Sequence, residues 1–93
     1  MTSPLDKIHA INDRIAQIDV DIDQARSELG MLEHLADDAA RDAAVSENYE
    51  DRADAKMTRS DVARCEKRIA ALYRERSKLI AKRDRLVARL ADG

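Results

Sequence analysis

Few side chains in this chain are of a type that could carry out covalent or metal chemistry. Cys65 is the only thiol, and His9 and His34 are the only imidazoles. A cysteine nucleophile needs a nearby base to generate its thiolate, and neither histidine falls beside Cys65 in the helical arrangement read below. The expectation is that Cys65 is a small buried hydrophobe. His9 and His34 fall on outward faces, and no His-Glu-x-x-His spacing brings ligands together for zinc. His34 with Asp37 or Asp38 offers only a weak adventitious metal site. With no nucleophile–base pair and no metal constellation, the chain reads as a non-enzyme that requires no cofactor.

Two sets of charged residues remain. Asp37, Asp38, Asp42, Glu47, Glu50, Asp51 and Asp54 make an acidic stretch. Such a cluster can meet a basic protein surface or help hold a divalent cation through oxygen ligands. Glu47, Glu50, Asp51 and Asp54 are its candidate partner-binding residues. Arg64, Lys67, Arg68, Arg74, Lys78, Lys82, Arg85 and Arg89 make a basic stretch that could track phosphates. The charge is unevenly spread behind a net −2: residues 1–32 hold six acids and three bases, and residues 33–54 hold eight acids against Arg41 and Arg52. Residues 56–89 hold twelve bases against Asp61, Glu66, Glu75 and Asp84. An acidic first half would offset the field of the basic second half, and no aromatic is placed to stack bases.

The elements that must position these groups are helices. Charged residues make up 39% of the chain, Phe and Trp are absent, and two Gly and one Pro leave little turn-forming material. That composition points to long helices or a coiled coil rather than a compact globular core. Ser3-Pro4-Leu5-Asp6 is a helix start, with Ser3 as cap, Pro4 at the first helical position and Asp6 completing a capping box. From there Ile8, Ile11, Ile15, Ile18, Ile22, Ala25, Leu29, Leu32, Ala36, Ala39 and Ala43 alternate in steps of three and four. That is the a/d seam of a coiled coil. Gly30 lies outside it. A second series, Val62, Cys65, Ile69, Leu72, Arg76, Leu79, Arg83, Leu86 and Leu90, alternates likewise in a different phase. The seam is therefore expected to break between about 44 and 57, with Ser46 or Asn48 capping a second helix, and a second cap at Thr58-Arg59-Ser60-Asp61 allows a short separate helix across 48–57.

A reversal near residue 47 pairs Ile22 with Leu72, Ile15 with Leu79, Ile8 with Leu86 and Leu29 with Cys65. Every a position then meets a d position, as antiparallel packing requires, and a register shifted by seven matches the seams equally well. Glu28–Arg68, Arg26–Glu66 and Glu33–Arg59 come out opposite in sign, while Asp21–Glu75 and Lys7–Arg89 are like-charged. Arg76 and Arg83 are expected to lay their stems on the seam and reach Asp19, Asp21 or Asp13. The predicted fold is all-α: a long antiparallel two-helix coiled-coil hairpin in one domain, with a helix over about 4–43, a turn zone over about 44–50 and a helix over about 51–91. One continuous helix in a parallel dimer is the competing architecture.

Tyr73, Ile80 and Val87 form an extra apolar column beside Leu72, Leu79 and Leu86, and Val20, Met31 and Leu35 lie outside the first seam. A stripe this wide predicts a third or fourth helix, supplied by self-association or by a partner, and a homodimer forming a four-helix bundle is the favoured expectation. Tyr73, Ile80 and Val87 join the acids as partner-binding candidates. No segment is apolar enough to cross a membrane, no secretory signal opens the chain, and the lone Cys65 gives no disulfide, so the expected location is cytoplasmic.

Ser46-Glu47-Asn48, between two helices and followed by an acidic stretch, resembles the tip of the Gre transcript-cleavage factors. Arg68-Ile69-Ala70-Ala71-Leu72 is similar to their returning helix. The resemblance implies a coiled coil that enters the RNA polymerase secondary channel and presents acids to the catalytic magnesium. The chain departs from that pattern: Ala44 stands where an acid is expected, the stretch from the tip to Arg68 is about four residues longer, and these 93 residues contain no counterpart of the C-terminal domain. Size and shape also resemble the small helical hairpins of the early-secreted-antigen family, without their Trp-x-Gly turn. Three function classes result. The first is a non-enzymatic protein–protein interaction module, such as an adaptor, scaffold, chaperone-like or phage accessory protein. The second is a Gre-like regulator, and the third a nucleic-acid binder using the basic helix.

Overall fold

The computed structural model describes residues 3–93, and the domain reading extends beyond it only by residues 1 and 2. Those residues form two helices, α1 (Pro4–Val45) and α2 (Tyr49–Asp92), joined as a hairpin. The continuous-rod alternative is thereby excluded. α1 opens as its sequence specifies: the Asp6 amide donates to Ser3 Oγ at 3.1 Å, and the Ser3 amide donates back to Asp6 Oδ2 at 3.4 Å. Two of the four orphan amides at a helix start are satisfied this way.

The reversal is shorter than the expected turn zone, and no separate helix precedes Thr58. Only Ser46, Glu47 and Asn48 lie outside the helices there. The Ser46 amide stays on the Asp42 carbonyl at 3.0 Å, and Ser46 Oγ accepts from the Asn48 amide at 3.0 Å. Asn48 Oδ1 then accepts from the Glu50 amide at 3.0 Å, which makes Asn48 the cap of α2. Side-chain oxygens replace the glycine that such a turn would ordinarily use, and no described non-glycine residue adopts a positive φ. Thr58 and Ser60 do not cap. Their hydroxyls donate back to the Ala55 and Lys56 carbonyls at 3.1 Å, which lets the helix pass through them.

The hairpin comprises two compact units: a terminal unit, Met1–Asp23 with Ala71–Gly93, and a turn unit, Gln24–Ala70. In the terminal unit Ile8, Ile11, Ile15, Ile18 and Ile22 are buried, with Ile18 wholly inaccessible. Leu72, Leu79 and Leu86 meet them half-buried from α2. Each fully buried isoleucine stabilises by roughly 1.5–3 kcal/mol. Leu90 was expected on the seam but is exposed.

In the turn unit Ala25, Ala55 and Cys65 are the buried seam residues. Leu29, Leu32, Ala36, Ala39, Ala43, Val62 and Ile69 are half-buried. The break in the seam is narrower than the expected 44–57. Counting back from Val62 in steps of four and three gives Thr58, Ala55 and Asp51, and all three are buried or half-buried. The second seam thus begins with α2 itself.

Gly30 lies on an open surface of α1, and a Cβ placed there would meet nothing within 4 Å. Gly30→Ala should therefore stabilise the protein by up to about 1 kcal/mol, since it removes backbone entropy from the unfolded chain without a clash. A rise in the urea midpoint at unchanged slope would show this.

Candidate functional site

The seam's polar members find partners across the hairpin. In the terminal unit, Arg76 Nε contacts Asp19 Oδ1 at 2.6 Å, as its expected role requires. Arg83 departs from expectation. It donates to Asn12 Oδ1 at 3.2 Å and lies 3.5 Å from Asp84 Oδ1, rather than reaching Asp13. The like-charged pair Asp21 and Glu75 is relieved from both sides. Arg14 meets Glu75 at 2.9 Å, and Gln17 Nε2 donates to Asp21 at 3.0 Å. In the turn unit the expected Glu28–Arg68 pair is present at 4.0 Å. These surface pairs add little stability, each worth about 0–1 kcal/mol.

Cys65 is buried, and its Sγ donates to the Ala25 carbonyl at 3.3 Å. Burial pushes the thiol above its usual 9.0; the Glu28 charge adds to this and Arg68 partly opposes it. A folded-state value raised above the unfolded one favours the protonated fold. The associated stability is fully present below the ordinary thiol range and is lost as pH rises through the folded value. At neutral pH this is a thiol poorly suited to nucleophilic work.

The acidic candidates all lie in the turn unit. Glu47, Glu50 and Asp54 are exposed. Glu47 contributes its backbone carbonyl, which accepts from Arg52 Nη2 at 3.2 Å. Asp51 is half-buried on the second seam, so it is the least available of the four. Asp38 lies 3.7 Å from His34 and 3.6 Å from Arg41. Among the described residues, no three His, Cys, Asp or Glu side chains converge as a metal site would.

The apolar candidates share one flank of the terminal unit. Tyr73 is 39% exposed and Val87 47% exposed, with Ile80 half-buried between them. They lie at heptad spacing on the side marked by the Asp19–Arg76 and Asn12–Arg83 contacts. Leu5, 54% exposed, falls on the same flank of α1. The expected extra residues Val20, Met31 and Leu35 are also exposed.

One apolar group escaped the sequence reading. Val45, Tyr49 and Met57 are exposed around the turn, and Tyr49, Ala53 and Met57 line an open groove with Arg52, Lys56 and Ser60. The signal was the i, i+4, i+8 spacing of Tyr49, Ala53 and Met57. It becomes visible only once α2 is known to start at Tyr49 rather than about two residues later.

Among the described residues no helix is long and apolar enough to cross a membrane. No protein-family model, curated protein or solved structure matches the chain.

Proposed function

We propose that this protein is a non-catalytic protein–protein interaction module, a coiled-coil hairpin whose own seam folds it and whose remaining apolar flank binds a partner. The observation that supports this is the exposure of Tyr73, Val87 and Leu5 on one side of the terminal unit, outside the seam that closes the hairpin. Exposed apolar columns of this kind mark association surfaces, and helices complete such a stripe by adding further helices. A second copy is the simplest partner. A two-fold axis would set each Tyr73–Ile80–Val87 column against its equivalent and make a four-helix bundle, with the Asp19–Arg76 pair at the rim. The exposed acids Glu47, Glu50 and Asp54 at the turn would supply a second contact, suited to a basic protein surface. The lone Cys65 thiol fits work in a reducing compartment such as the cytoplasm.

Sedimentation across a wide concentration range tests the reading, together with a photo-crosslinking residue at position 73. A concentration-dependent dimer is expected. Tyr73→Glu with Val87→Glu should abolish it while helicity persists. A monomer at all concentrations, with no protein adduct from position 73 in native cell extract, would overturn the interaction reading.

A further inference from the structure

The terminal unit sorts its charge by flank, and two sets of contacts identify the flanks. Arg14 meets Glu75 on one side of the seam, while Asp19 meets Arg76 and Asn12 meets Arg83 on the other. Helical periodicity assigns the rest. Lys7 lies one heptad before Arg14 on α1, and Lys82 and Arg89 lie one and two heptads after Glu75 on α2. Lys78 and Arg85 sit next to them, one position further around the helix. All five are exposed. Among the described residues none of the five enters an ion pair.

The acids of α1 do not offset this flank. Asp19 lies on the opposite side against Arg76, and Asp6 and Asp13 fall on the back of α1. Asp21 and Glu75 do share the flank, but at its far end, held by Gln17 and Arg14. Among the described residues Asp92 is the only acid beside the five at the near end. The acidic first helix offsets the basic second one in sums over whole helices, but not on this side of the unit.

We propose that this flank binds the phosphate backbone of duplex nucleic acid, without reading its sequence. Lys78, Lys82, Arg85 and Arg89 follow one another at steps of four, three and four residues. On a rise of 1.5 Å per residue they form a line about 16 Å long, with Lys7 alongside on α1. A rigid line of cations suits the regular phosphates of a duplex, where released counterions drive association. The flank carries no aromatic on which to stack single-stranded bases. It has no apolar side chain to insert into a bilayer either, because Tyr73, Ile80 and Val87 are on the other side. The assignment is independent of self-association, which uses that other flank.

Fluorescence anisotropy of a short labelled duplex of arbitrary sequence tests it. Four or five phosphate contacts predict a log K against log salt slope of about −4, or a roughly 10²-fold weakening for a fourfold rise in salt. Lys78→Gln, Lys82→Gln, Arg85→Gln and Arg89→Gln combined should weaken binding at least about tenfold and flatten that slope. If the fourfold variant loses helicity by circular dichroism, the pair Lys78→Gln and Arg85→Gln gives the same reading with a smaller loss. The proposal is overturned by absence of duplex binding at low salt or by unchanged binding in the folded variant. Tighter binding to phosphatidylserine vesicles, to an acidic polypeptide or to single strands than to duplex would also overturn it.

Discussion

Ile18→Ala should cost about 3 kcal/mol and lower the melting temperature by roughly 12–24 °C, given the stability range of domains this small. Among the described residues Ile18 is the one large side chain that is wholly inaccessible. The loss therefore combines the transfer energy of the missing carbons with the cavity left between the helices. Val20→Ala, two residues away and 48% exposed, is the control and should change stability by no more than about 0.5 kcal/mol. Thermal unfolding at one fixed protein concentration, followed by circular dichroism, separates the two. Equal effects at both positions would mean that α1 does not present Ile18 to the seam.

The second large effect is expected near the turn. Ala55 is 2% exposed, although the region around it is polar and acidic. Ala55→Asp would bury an unpaired carboxylate and should destabilise by about 3 kcal/mol, in the upper tail of single substitutions. Lys56→Asp, one position further round the helix and exposed, should fall within about 0.5 kcal/mol of the parent. Hydrogen exchange would locate the damage, with amides of 36–62 losing protection while those of 8–22 keep theirs. A neutral outcome for Ala55→Asp would place the start of the second seam back at Val62.

The Ala55 prediction marks where the sequence was hard to read. Between Ser46 and Ser60 the large apolar residues are Tyr49 and Met57, both of which face outward. The seam there is built from Asp51, Ala55 and Thr58, two of them polar. A hydrophobic pattern cannot announce a seam made of small and polar side chains. Near the turn the seam is lined by small side chains such as Ala39, Ala43 and Ala55, and helices faced with small residues can approach closely without bulk. Along the first half of α1 the pattern was sufficient. The isoleucine ladder from Ile8 to Ile22 is buried at every step, and the Ser3–Asp6 capping box forms as its residue types require.

The candidate surfaces divide in the same way. Periodicity alone identified the Tyr73–Ile80–Val87 column, because a residue's face follows from its number once the seam is known. Periodicity did not reveal that Asp51 is half-buried and so differs from Glu47, Glu50 and Asp54. That depends on where Asn48 caps α2.

What the sequence determined by itself was local and additive: helix content, the start of α1, the phase of each seam and the sign of each stretch of charge. What only the tertiary structure decided was the relation between helices. It selected a three-residue reversal held by Ser46 and Asn48, directed Arg83 to Asn12, and put Lys7 and Arg14 on the same flank as Lys82 and Arg89. The physical reason is that net charge and composition sum over a chain regardless of direction, whereas a surface is made of neighbours. Two helices of opposite average charge can still present one basic flank and one apolar flank, and which residues share a flank is set only when the seam closes.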